Sequence, residues 1–543
     1  MILKKWSSWR SEYANNKYDV IIIGSGISGL TSGILLAKEG KKVLILEKHF
    51  KAGGWTHTFK RDDYEWDVGI HYIGEVHNPR SPVRKLFDLV SNGKLEWHKM
   101  EDNYDRIIFP DKQYNFVAPR EQFIQDMAGY FPGTKDKLLK YIQVVDEAVK
   151  SGQSYFANKA LPNWLGNFTY NKMTRKFFKH SDKTTREVIM NIFDDETILG
   201  VLSGQWGDHG LPPGDSSFAM HAMVVRHYLD GGNYPIGTSR RIAETAVDYL
   251  ESMGGVLYVN AGVDEIITHK GKAVGVRLEK GDEILAPLII SSAGVMNTYG
   301  KFLRSNKAFS QMSAQLKTIT PTSSYMCLYI GLNKSAEELK LGNTNLWIYP
   351  GYNHDLNVAN YMQDSTKELP VVYVSFPSAK DPAFKDEHPG FATMEAITVA
   401  NWSEYDNWKD KPWKNRGDEY ETMKEKLSER ILEKVYEHVP QAKEAMAYSE
   451  LSTPLSVKSL ANYPKGELYG IDHMPNRFHQ KWLKPKSEIK NLYLTGQDVL
   501  TVGVTSALFS GLVTASAITK KNLMKELFSS SDPRKTRNGA KII

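Results

Sequence analysis

Gly24, Gly26 and Gly29, with Glu47 eighteen residues beyond them, are the residues of this chain whose spacing points most clearly to chemistry. An apolar run from Val20 to Ile23 leads into the glycines, a helical stretch comes next, Gly40 breaks it, and a second apolar run from Val43 to Leu46 ends at the acid. A strand, a glycine turn, a helix and a strand closing on a carboxylate form the pattern that binds a dinucleotide. Gly24 permits the tight turn, Gly26 lets backbone approach a pyrophosphate, and Gly29 lets the helix lie close on the strand. The helix start offers free N–H groups and the positive end of its dipole to phosphates, and Glu47 can accept hydrogen bonds from a ribose diol. Ser25 and Ser28 in the turn and Lys48 beside the acid join the candidate contacts. The competing reading is a buried parallel-sheet turn with no ligand.

The elements that must position these residues come from three separated stretches. The first starts at Tyr18. The second contains a helix expected from Thr238 to Met253, a strand from Val256 to Asn260, a hairpin-rich sheet and an apolar strand from Leu288 to Ser292. The third begins with NLYLTGQD, which reads as a strand ending at Gly496 and Asp498, and continues as an apolar helix from about Gly503. Such interleaving implies one sheet built from distant segments. The expected organisation is therefore α/β: a Rossmann-like cofactor domain from residues 18–100, 231–300 and 456–527, with an inserted α+β substrate domain from residues 101–230 and 301–455. Residues 1–17 read as a solvated lead-in, with a short interfacial helix around Trp6 and Trp9 as the alternative. Residues 528–543 read as a disordered basic tail.

Composition narrows the function classes. At 543 residues the chain exceeds what one core usually serves, and a formal charge of +6 with no arginine-rich tract gives no support to a nucleic-acid partner. Its single cysteine, Cys327, excludes an internal disulfide and any CxxC pair, and no compact His/Cys cluster suggests a metal. Redox chemistry must then come from an organic cofactor. The opening residues lack the apolar core of a secretory signal, so a cytoplasmic setting is expected. Val499 to Ile518 is uncharged for a membrane-span length, but its Thr, Ser and Gly content favours a buried helix. Trp164 to Lys183 alternates aromatics with Lys172, Arg175, Lys176 and Lys179. It reads either as a helix lying in a membrane surface, which would admit a lipid, or as a solvated basic face.

The residues beyond Glu47 favour flavin over nicotinamide. Gly53 and Gly54 give a second place for backbone to approach a pyrophosphate, with Trp55 and Thr56 beside them. Asp498 stands where a carboxylate could bond a ribityl chain, and the helix from Gly503, beginning near Val504, could face the pyrimidine end. No second glycine fingerprint succeeds a strand elsewhere. FAD is thus the expected cofactor; NAD(P)H meeting the flavin transiently, or a separate reductase, is the expected electron source.

The order GSGISGL, LEK, AGGWTHTF, DVGIHYIG, SFAMHAMVVRHYLDGGNYP, FPSAKDP and LTGQDVLTVGVTSAL resembles the retinol saturase family, within the wider group of phytoene desaturases and carotenoid isomerases. The likeness runs from about residue 18 to about residue 527. It implies an amine oxidase or phytoene desaturase type of fold, FAD along the first domain with Val263 among its contacts, and an apolar tunnel to the ring for a retinoid or another polyene. The chain departs from the family pattern at Trp55 and Thr56, where the family carries cysteines, and at Gly237 and Thr238, where it carries a glycine pair.

Saturating a conjugated double bond needs a hydride and a proton. Gly69 would admit the flavin ring, which makes His71 and Tyr72 the candidate proton donors; His57, Tyr469, Asp472 and His473 are the alternatives from other segments. A carotenoid desaturase or isomerase is the rival within the same chemistry. A non-catalytic lipid escort is the rival outside it.

Overall fold

The computed structural model describes residues 6–305 and 309–529. Its first layer is a five-stranded parallel sheet in the spatial order Val256–Tyr258, Val43–Leu46, Val20–Ile23, Ile289–Ser291, Leu492–Leu494. All three stretches read from the sequence thus meet in one sheet. Each central strand is buried along its whole length, which is why Val20–Ile23 and Val43–Leu46 are uninterrupted Val, Ile and Leu rather than alternating.

The first helix, Ile27–Lys38, lies on this sheet, and the closing helix, Val504–Thr519, crosses it. The crossing is tight at Gly511, where a Cβ would stand 2.5 Å from the Thr31 Cβ. That contact explains the small residues of the apolar run: they let two helices approach closely rather than face lipid. Among the described residues no helix is long and apolar enough to cross a membrane.

The second layer is a seven-stranded mixed sheet in the order Met446–Ser452, Ser324–Leu332, Ala392–Ala400, Val372–Ser375, Asn345–Ile348, Asn103–Ile108, Gln113–Val117. Directly paired residues share a face, so Tyr373 with Ile397, Ser375 with Glu395 and Asn345 with Asp105 look to one side. That side is covered by helices, including Lys135–Ala160 and Phe218–Tyr228, over a core of Tyr, Phe and Trp. The opposite side buries Leu328, Ile330 and Ala396 against helix Asp418–His438.

Several boundaries differ from the sequence expectation, each for a local reason. The helix expected from Thr238 starts at Arg240, because Gly237 and Thr238 have φ values of 83° and 66° and make a turn first. The strand expected to reach Asn260 stops at Tyr258, and Asn260 takes a left-handed φ of 52°. The lead-in is exposed at Arg10 to Glu12 and Asn15 to Lys17 but anchored at Trp9, which is buried, donates its indole N–H to Asp282 at 2.8 Å and bonds Val259 through its backbone beside the parallel sheet. The Trp9 ring meets Tyr13 and Tyr258 edge-on, and those two rings stack on each other. At the other end a helix, Leu523–Ser529, overlaps the start of the expected tail, whose remainder lies outside the described residues.

Candidate active site

The glycine turn folds as a cradle. Gly24 has φ 93°, and a Cβ on Gly29 would overlap the Gly24 carbonyl oxygen. Gly54, with φ 56°, passes so close over the turn that its Cβ would lie 3.1 Å from the Gly26 Cα. Gly53 N–H donates to Ser25 Oγ at 3.0 Å, and Thr56 Oγ1 donates back to the Gly53 carbonyl at 2.9 Å. The two glycine motifs are therefore one unit. Glu47 closes it: Oε2 accepts from Ser25 N at 2.8 Å and Ser25 Oγ at 2.6 Å, and Oε1 accepts from His49 N at 2.8 Å. A carboxylate has about four acceptor sites, so one remains for a ligand hydroxyl. The first helix has no side-chain cap at Gly26, which leaves its opening N–H groups without side-chain acceptors.

The other candidate contacts fall around this cradle in different ways. Ser28 Oγ meets Ser292 Oγ at 2.8 Å, and Gly496 lies against Ser28. Asp498 is buried and clamps two other segments, accepting from Val295 N at 2.8 Å and Ile471 N at 3.0 Å. Trp55 lies against Gly69 and stacks at 6.1 Å on Tyr463. Val504 opens the closing helix behind Gly503. Lys48 pairs with Glu279 at 2.9 Å, and Val263 is buried at the start of its strand.

Asp67 to Gly74 leads from this region into the second layer, and its consecutive side chains diverge. His71 Nδ1 meets Glu395 Oε2 at 2.8 Å, while Nε2 has no hydrogen-bond partner among the described residues and 19% of the side chain stays accessible. Tyr72 turns inward: its hydroxyl donates to Asp105 at 2.9 Å or Asp208 at 3.1 Å, and its ring stacks on Tyr228 at 4.0 Å. With its hydroxyl so engaged, Tyr72 shapes the buried network rather than facing open space.

Behind His71 lies a group of titratable side chains with little water to solvate them. Lys380 is fully buried and donates to the His71 carbonyl at 2.9 Å, to Ser375 Oγ at 2.7 Å and to Asn345 Oδ1. Three acceptors fit an ammonium, although burial lowers its pKa to about 8. Burial pushes Glu395 up to about 8 and Asp67 up to about 7, the latter against hydrogen bonds from Ser239 and Tyr234. Asp208 is raised as well, by burial and then by Asp105. Asp105 rises least, to about 6, because Asn345, Gln205 and Tyr72 all donate to it. Near neutrality Lys380 thus faces an ionised Asp105 and a partly ionised Asp67, and Glu395 carries its proton. Burial holds His71 near 4, so its ring is neutral. The Glu395 hydroxyl then donates to Nδ1, which fixes the ring proton on the outward Nε2.

The sequence reading missed Lys380, Glu395, Asp105 and Asp208. Lys380 sits inside the FPSAKDP motif, whose neighbour Asp381 accepts from Gly237 N and Thr238 N and so holds that unusual turn. Glu395 had a visible signal, a lone acid in the apolar strand ATMEAITVA.

The alternative proton donors sit in tighter settings. His57 Nδ1 lies 2.5 Å from the Gly54 carbonyl, and burial holds it near 3. His473 accepts from Val502 N at 3.0 Å, and burial lowers it well below the usual imidazole range. Asp472 accepts from Met474 N, and the Tyr469 ring lies against Gly210. Elsewhere Glu65, Glu387 and His388 gather their ligand atoms within 4.8 Å, but Arg240 bridges the two acids and supplies the positive charge there.

Residues 22–89 match the NAD(P)-binding Rossmann-like domain family. The chain is 35% identical over 542 residues to an all-trans-retinol 13,14-reductase of Danio rerio, covering 96% of this chain and 89% of that one. It is 33% identical to the Homo sapiens protein of the same name, covering 94% and 87%. A prolycopene isomerase of an Oncidium hybrid is 25% identical, with 92% and 84% covered. An oxidoreductase from Methanosarcina mazei superposes with TM-score 0.61 at 14% identity over 92% of this chain and 100% of that one. A cyclohexylamine oxidase from Brevibacterium oxydans does so with TM-score 0.58 at 17% identity, covering 94% and 100%. The structural likenesses speak to the fold, a Rossmann-like domain carrying an inserted second domain.

Proposed function

The chain belongs to the all-trans-retinol 13,14-reductase family, and on that premise we propose that it is an FAD-dependent oxidoreductase that reduces a C=C bond of a retinoid or related polyene lipid. One observation carries the reading: the Asp67 to Gly74 motif joins the two layers, with Gly69 against Trp55 on the cradle side and His71 backed by Glu395 on the other. The cradle fits FAD, since Gly54 over Gly26 leaves room only for backbone where a pyrophosphate must come close, and Glu47 keeps an acceptor site. Ser25, Ser28, Lys48, Gly53, Trp55, Thr56, Gly496, Asp498 and Val504 are the further residues assigned to holding it. Bound and reduced, FAD supplies a hydride. The protein orients the alkene against that face, keeps water out with its aromatic core, and delivers a proton from His71 Nε2, which Glu395 replaces through Nδ1.

Anaerobic incubation of the reduced, FAD-loaded protein with all-trans-retinol is expected to give a dihydro product by mass spectrometry. Retinol left unchanged while a cis-carotene isomerises would move the assignment to the isomerase branch, to which the Oncidium relative belongs by name. Loss of the visible flavin absorbance on anaerobic addition of NADPH alone would identify the nicotinamide as donor; no loss would point to a separate reductase.

We also assign the lipid contact to helix Asn163–Ser181. Trp164 and Phe168 are 74% and 86% exposed one turn apart, Lys172, Arg175, Lys176 and Lys179 lie further along, and the helix contains no acid. Aromatics among cations suit an anionic membrane surface. Trp164→Ala with Phe168→Ala is expected to weaken retention on anionic vesicles by roughly tenfold or more, from the apolar area withdrawn. Unchanged retention in a sedimentation assay would remove this helix from the role.

A further inference from the structure

A second cluster, separate from the His71 network, gathers lysines that pair with no carboxylate among the described residues. Where helix Lys135–Ala160 ends and helix Asn163–Ser181 begins, a cavity of about 30 Å³ is lined by Tyr155, Asn158, Lys159, Asn163, Lys481 and Lys484. No Asp or Glu lines it. Lys159 is enclosed: its ammonium donates to the Leu483 carbonyl at 2.5 Å and stands 5.2 Å from the Tyr155 ring. Lys484 donates to Asn163 Oδ1 at 3.3 Å, and Lys481 lies 4.2 Å over Tyr170. None of the three lysines pairs with a carboxylate among the described residues.

Burial lowers the pKa of Lys159 to about 7, and the two charges acting on it, Arg477 and then Lys484, push the same way. A largely surrounded ammonium whose charged neighbours are all cations is stabilised by an anion that joins it. Arg477 directs both terminal nitrogens to backbone carbonyls between residues 471 and 500 and adds to the positive charge. One wall of the cavity is the first turn of helix Asn163–Ser181, which begins after Pro162 with no side-chain cap, so the positive dipole end adds to the same field.

The geometry points to a binding site for a phosphate-type oxyanion in this cavity, held by Lys159, Lys481 and Lys484. A tetrahedral dianion offers separate oxygens to three ammonium groups at once, and lysine serves phosphate as a point charge. Two sources carry this chemistry: a phosphomonoester lipid headgroup and a soluble phosphate ester. The exposed Trp164 on the same first turn makes a headgroup accessible to the site when the helix rests on a membrane.

The test uses the full FAD-loaded chain. Inorganic phosphate is titrated calorimetrically, and retention is measured on phosphatidylcholine vesicles with and without phosphatidic acid. Lys159→Met and Lys484→Gln are each expected to weaken phosphate binding by about tenfold or more, as loss of one charge-assisted hydrogen bond implies, with flavin content unchanged. Lys150→Gln, at an exposed position of helix Lys135–Ala160, is expected to bind phosphate as the unaltered chain does. Retention on phosphatidic acid that inorganic phosphate competes away identifies the lipid source, and phosphate binding without such retention identifies the soluble one; both support the site. Absence of both signals in the unaltered chain overturns it, as does Lys484→Gln binding phosphate at full affinity.

Discussion

Replacing His71 by glutamine is expected to leave FAD bound and to lower the rate of alkene reduction by about 10²- to 10⁴-fold, the usual contribution of a positioned general acid. The reason is the neutral Glu395–His71 pair, in which the ring proton is on Nε2 and the Glu395 proton stands ready to replace it. The active form needs Glu395 protonated and His71 neutral. Burial sets the first condition below about pH 8 and the second above about pH 4, so turnover should fall as pH rises through about 8. Lys380, Asp67 and Asp105 face the same pair: Asp105 keeps its charge near neutrality with three donors, while Asp67 near 7 and Lys380 near 8 titrate beside it and shape the alkaline limb. Glu395→Gln is the sharper variant. Its amide still donates to Nδ1 and keeps the ring orientation, so binding survives while the replacement proton is gone. Turnover should drop and the alkaline limb near pH 8 should disappear. If Glu395→Gln retains that limb, the proton comes from elsewhere; stopped-flow rates across pH decide it. Tyr72→Phe should change the rate little, because the hydroxyl points to Asp105 and Asp208 and away from open space.

The parallel sheet and its glycine turn were legible because their signals are local. Val20 to Ile23 and Val43 to Leu46 are fully buried strands, and only an uninterrupted apolar run serves that setting. Even the third stretch announced itself, since Leu492 to Leu494 ends in the glycine and acid that hold the next turn. His71 could be picked out within its motif, yet its meaning could not. What makes it an acid candidate is Glu395, distant along the chain, and what keeps Glu395 neutral is burial beneath helices, with Lys380 as the one opposing cation. Proton position in this cluster is a property of packing, and no spacing rule within one segment encodes it. Trp9 shows the same limit at smaller scale: beside Lys4, Lys5 and Arg10 it reads as solvated, but Tyr258 on an adjacent strand gives it a partner.

Gly29→Ala should abolish FAD binding and destabilise the cofactor domain, and comparison with two other glycines shows why so small a change does so much. At Gly29 the added methyl would overlap the Gly24 carbonyl oxygen, a backbone atom that is itself part of the turn. Relief requires the first helix to lift from the sheet, which opens the cradle under Gly54 and withdraws the helix start from the pyrophosphate. Overpacking of this kind costs about 1–3 kcal/mol where side chains can yield, and more where backbone must move. At Gly33, one turn on, the methyl would meet the ends of Ile22 and Ile45 at 3.2 Å. Those side chains can rotate, so Gly33→Ala should lower stability modestly and keep the flavin. At Gly40 the backbone has φ 79° with nothing within 4 Å, so Gly40→Ala should cost only the roughly 1–2 kcal/mol of a left-handed alanine and leave the flavin spectrum unchanged. Flavin content after purification and thermal midpoint, measured together, separate the three. Gly29→Ala with full flavin occupancy would show that the helix need not touch the strand for the cradle to form, and would dissolve the link between the close approach and the cofactor.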